Sequence, residues 1–88
     1  MARAQKSPKS LRSAGHRALC ALLIEARAKA RLTQVEIAQR LARPQSYVAK
    51  YEGGERRLDV VEFLAVCDAI GVDPVRIVRA LRRPYPRT

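Results

Sequence analysis

Apolar positions recur along the chain at helical spacing and show no strand-like alternation, so five short amphipathic helices account for the pattern. The first is predicted from about Gly15 to Lys29, with Leu19, Leu22, Leu23 and Ala26 turned inward and Arg17, Glu25 and Lys29 outward. The second opens at Thr33, where a Thr-x-x-Glu capping box with Glu36 precedes the apolar set Val35, Ile37, Ala38 and Leu41. The third starts with Pro44 at its first helical position and runs to about Glu52. A proline there gives up an N–H that has no helical partner in any case and biases Arg43 away from helical geometry, so the chain turns across Ala42 and Arg43. The fourth begins at Asp59, whose spacing to Glu62 repeats the capping logic, carries Val60, Phe63, Leu64, Cys67 and Ile70, and closes at Gly71. Asp73-Pro74 starts a fifth with Val75, Ile77, Val78 and Leu81 as apolar positions, ended by Pro84 and Pro86.

The second and third helices are separated by too few residues to form a loop, which makes the pair a helix-turn-helix. Helices joined so tightly cross steeply and bring their backbones close, and Ala38 supplies the small residue that the crossing needs. Val48 and Tyr51 face inward onto Ile37 and Leu41, leaving Gln45, Ser46, Tyr47, Ala49 and Lys50 on the outer side. A row of amides, a hydroxyl and an ammonium suits the base-edge donors and acceptors of a DNA groove. The plainer alternative, a solvated polar face, is outweighed by the whole constellation.

Leu-Thr-Gln at 32–34, Ala38, Pro-Gln-Ser-Tyr-Val at 44–48, Lys-Tyr-Glu at 50–52, Gly53-Gly54-Glu55-Arg56-Arg57 and Ala-Ile-Gly-Val at 69–72 resemble the phage-repressor and Cro-like helix-turn-helix family, also called the xenobiotic-response-element family. The likeness covers about 17–81 and implies an all-α, five-helix, lambda-repressor-like DNA-binding domain. Family members often carry glycine at the turn, where this chain has Ala42; a left-handed backbone there costs on the order of 1 kcal/mol. The resemblance implies that Gln34, at a helix N-terminus suited to anions, clamps a phosphate with help from Thr33, and that Arg27 pairs with Glu52 to orient the recognition helix. Gln45 and Ser46 are best placed for base edges, Gln45 against adenine N6 and N7. Lys50 reads guanine or contacts phosphate, and Tyr47 does either through its ring or hydroxyl. Gly53, Gly54, Arg56 and Arg57 lie where a loop grips the DNA strand, unless the two arginines are only solvated charges. Arg43, in the turn, joins the phosphate group, though its position alone does not decide this.

Eighty-eight residues make one domain with a modest core. The net charge of +10 sits at the ends, +5 within 1–24 and +5 within 74–88, so the middle is neutral. Such tails commonly serve solubility; beside a helix-turn-helix they suggest arms that add phosphate contacts with a steep salt dependence. A basic, flexible arm is expected over 1–13, the DNA-binding domain over 14–83 and a short basic tail over 84–88. No apolar run spans a bilayer and no leader pattern opens the chain, which points to a soluble, cytoplasmic protein. Cys20 and Cys67 lie far apart and read as reduced core residues, and with His16 as the single histidine neither a metal site nor a cofactor is expected. An enzyme is not expected: His16 has no evident partner, neither cysteine neighbours a base, and Gly53-Gly54 follows a helix where a phosphate-cradling loop precedes one.

The function expected is a transcriptional regulator, a repressor reading a palindromic operator through the major groove as a homodimer, because two copies double the few base contacts of one. The alternative is an antitoxin whose main partner is a toxin and whose DNA binding is autoregulatory. The two-fold contact is expected near Ile77, Leu81 and Tyr85. Otherwise Ile77 and Leu81 complete the core and the interface lies elsewhere, as on the fourth helix.

Overall fold

The computed structural model describes residues 13–82 and forms five helices: α1 (Ala14–Lys29), α2 (Gln34–Leu41), α3 (Gln45–Glu52), α4 (Val60–Ile70) and α5 (Pro74–Leu81). No strand occurs among the described residues, so the fold is all-α. The basic arm through residue 12 and the tail from 83, with Tyr85, lie outside the described residues. Ser13, the last residue of the expected arm, caps α1, its hydroxyl accepting the His16 N–H at 3.0 Å. Thr33 and Asp59 form both expected capping boxes, with Glu36 and Glu62 answering the cap N–H groups at 2.8 and 2.9 Å. Asp73 caps α5 ahead of Pro74.

Pro44 stands one position earlier than expected. With ψ near 154° it is the cap of α3 rather than its first residue, and its carbonyl already accepts the Tyr47 N–H at 3.0 Å. Four helices end alike, on a left-handed residue followed by an N–H that reaches back to the last turn. The pairs are Arg31 with Leu32 N to Arg27 O, Ala42 with Arg43 N to Ala38 O, Gly54 with Glu55 N to Lys50 O, and Gly71 with Val72 N to Cys67 O. Ala42 does adopt the left-handed backbone, at φ 56°, and bears the strain glycine would avoid.

Leu23, Ile37, Val48, Tyr51, Val66 and Cys67 are fully buried at the centre, and Ala38 is buried at the α2–α3 packing. Cys20 and Cys67 are free thiols in this core. The Tyr51 hydroxyl is buried with no hydrogen-bond partner, and burial pushes its pKa up. Helix α4 buries Val66, Cys67, Ala69 and Ile70 and turns Val60, Val61 and Leu64 outward, because a helix apolar on nearly every side gives its pattern no preferred face. In α5 Ile77 is a core residue, 6% exposed, as the alternative reading had it and not part of a surface contact; Val75 and Val78 are the exposed apolar residues, with Leu81 half-buried.

Candidate nucleic-acid interface

Two polar clusters hold α3, one on each flank. The first is built on Glu52, whose side chain is only 5% exposed. Arg27 grips it with two bonds, Nε to Oε2 at 2.7 Å and Nη2 to Oε1 at 2.9 Å, and ties its remaining nitrogen to the Leu32 carbonyl. Gln34 Nε2 donates to the same Glu52 Oε1 at 2.8 Å, and Gln45 Nε2 donates to Gln34 Oε1 at 2.9 Å. A carboxylate accepts only, so Gln34 must offer its NH2 to Glu52 and its oxygen to Gln45. The amide of Gln45 is thereby given one orientation, with its Oε1 and second N–H left for a ligand. That pair of groups is the complement of adenine N6 and N7.

The second cluster is built on Tyr47. Sequence reasoning placed Tyr47 with Gln45, Ser46 and Lys50 on the outer row, but the ring is buried, 8% exposed, and meets Tyr51 edge-on at 5.7 Å. The two tyrosines are four positions apart, so they share the helix face that enters the core. The guanidinium carbons of Arg43 and Arg56 lie 4.7 and 4.8 Å from the Tyr47 ring centroid. Arg56 also makes paired bonds to Glu62, at 3.1 and 2.8 Å, and donates to the Arg57 carbonyl. Its guanidinium beside Glu62, aided by the Asp59 N–H, holds that carboxyl down at about 2. Nothing in the sequence signalled the Arg56–Glu62 pair, since six residues across a loop have no fixed geometry.

Gln45, Ser46 and Lys50 are exposed together on α3, with Ala49 half-buried between them. Thr33 is exposed at the start of α2, its backbone N–H taken by Glu36. Gly53 comes so near the end of α3 that an added Cβ would sit 3.1 Å from the Ala49 carbonyl, and Gly54 follows in the left-handed conformation. His16, which sequence reasoning left without a partner, is buried with Nε2 3.8 Å from Cys20 Sγ, and Cys20 donates to the Tyr51 carbonyl at 3.3 Å. Burial and the charge of Arg57 push the His16 pKa down, against a bond to the Gly54 backbone. Among the described residues no cluster of metal-ligating side chains forms, and no helix is long and apolar enough to cross a membrane.

Two short helices on a left-handed turn, with an exposed polar row on the second and basic groups on its flank, define a helix-turn-helix DNA-binding domain. The helix-turn-helix domain family matches residues 18–82, and the chain belongs to that family as an XRE/Cro-like member. Among solved structures, an XRE-family like protein from Pseudomonas syringae pv. tomato str. DC3000 is 50% identical with a TM-score of 0.77, the match covering 82% of this chain and 88% of that one. The clp gene regulator ClgR from C. glutamicum is 24% identical with a TM-score of 0.70, over 76% and 87% of the two chains, a likeness of fold. No curated protein matches the chain.

Proposed function

We propose that this DNA-binding regulator is a non-enzymatic, cytoplasmic repressor that reads a palindromic operator as a homodimer, with α3 in the major groove. The observation that carries this reading is the bonded chain from Arg27 through Glu52 and Gln34 to Gln45, which prepares one amide for one base edge. Gln45, Ser46 and Lys50 read bases; Thr33, Gln34 through the amide N–H that Glu52 does not take, Arg43, Gly54 and Arg57 hold the strand. Arg56 leaves the phosphate group because Glu62 already holds it, and Tyr47 leaves the base readers because its ring is buried.

The homodimer reading moves to the α4–α5 surface, where Val60, Val61, Leu64, Val75 and Val78 are exposed and an apolar groove of about 170 Å³ runs between Val60, Phe63, Val78 and Leu81. Fragments of its own genome enriched on the protein should share an inverted repeat with half-sites about one helical turn, or a multiple of it, apart. Enrichment without two-fold symmetry would contradict the homodimer, and no enrichment over bulk DNA would contradict specific reading. Val60→Asp and Val78→Asp, both at exposed positions, should stay helical and sediment as monomers. A variant that remains dimeric would remove this surface from the interface.

A further inference from the structure

The Tyr47 cluster holds two guanidiniums against one buried ring, and the two are not equivalent. Arg56 is held four ways: by the ring, by both Glu62 oxygens and by the Arg57 carbonyl. Glu62 is itself fixed, since its Oε1 also accepts the Asp59 N–H at the start of α4. Arg43 stands over the ring, makes no salt bridge among the described residues, and reaches Glu62 only through its charge at longer range. Its backbone is nonetheless fixed, by its N–H to the Ala38 carbonyl at 2.9 Å and by Pro44 behind it. The ring cannot swing away to follow either cation, because Tyr51 abuts it at 75° within the core.

Resting on the DNA-binding reading, we propose that Tyr47 is a positioning residue: its buried ring presents Arg43, two residues before Gln45, to a DNA phosphate, while Arg56 and Glu62 brace the ring and do not touch the DNA. Moving Arg56 to a phosphate would break charge-assisted bonds to a half-buried carboxylate. Arg43 gives up no hydrogen bond, only a ring face and a longer-range attraction to Glu62, and gains an anion. The cluster therefore divides two similar arginines into one brace and one ligand, and it does so at the end of α3 where base readers enter the groove.

The test is the salt dependence of the full chain's affinity for a labelled duplex of arbitrary sequence, where removing one phosphate contact lowers the slope of log affinity against log salt by about 0.9. Arg43→Gln should lower the slope by about that amount, and Arg56→Gln should leave the slope unchanged while lowering the thermal midpoint. Tyr47→Phe keeps the ring and should keep the slope. Tyr47→Leu, if helical by circular dichroism, should lose as much slope as Arg43→Gln, with no further loss when the two are combined. If Tyr47→Leu fails to fold, the two arginine variants decide. A slope lowered by about 0.9 in Arg56→Gln and unchanged in Arg43→Gln, or a folded Tyr47→Leu with the parental slope, would overturn the assignment. A parent chain that binds no duplex even at low salt would instead overturn the DNA-binding reading beneath it.

Discussion

The two clusters flanking α3 do similar geometric work with different physics. On the Glu52 side a carboxylate is taken out of water, and its oxygens are met by donors from α1 and α2. On the Tyr47 side the charges stay wetter, with Arg56 and Glu62 side chains 37% and 21% exposed, and the buried member is a neutral ring. A buried charge tolerates no vacancy among its partners, whereas a wet pair around an apolar ring loses little when one member goes. The first arrangement sets the orientation of the Gln45 amide; the second sets where flanking cations stand.

The contrast is broken most forcefully by Arg27→Ala, which strands Glu52 without its cation. Breaking such a pair should cost about 3 kcal/mol of unfolding free energy, read by chemical denaturation. A loss no larger than that of Arg56→Ala would make the two clusters equivalent. A smaller, opposite effect is expected at the turn between them. Ala42→Gly relieves a left-handed alanine that belongs to neither cluster, and should raise stability by about 1 kcal/mol with the polar networks intact. The smallest effect is the pH response of the wet pair. Glu62 has a folded pKa depressed from 4.5 to about 2, so its contribution is present above the ordinary carboxylate value and disappears as pH falls through about 2. Glu62→Gln should flatten the thermal midpoint across that acid window. A response as steep as the parent's would mean that another carboxylate carries it.

Much of this frame was legible in the sequence because it is local. Thr33 with Glu36 and Asp59 with Glu62 are contacts three residues apart, while the left-handed end at Ala42 was reached through the glycine that family members often carry there. Arg27–Glu52, twenty-five residues apart, was reached only through likeness to a family. What stayed hidden depends on which side of a helix meets the core. Eight residues of α3 hold too few apolar positions to say that Tyr47 turns in with Tyr51, and α4 is apolar nearly all round, so Val60 and Leu64 were as eligible for the core as Val66. The exchange of Ile77 from expected interface to core has the same origin, since α5 offers four apolar residues and the domain takes mainly one.

The role of α3 as a reading helix depends on whether Gln45, set by the Glu52–Gln34 chain, meets a base edge. The direct measurement is the affinity of Gln45→Ala for a duplex selected by the parent protein and for the same duplex scrambled, at one salt concentration. The predicted result is a loss of roughly 5- to 150-fold on the selected duplex, corresponding to about 1–3 kcal/mol, with the scrambled duplex bound as before. An equal loss on both would make Gln45 a backbone contact and contradict the base-reading role.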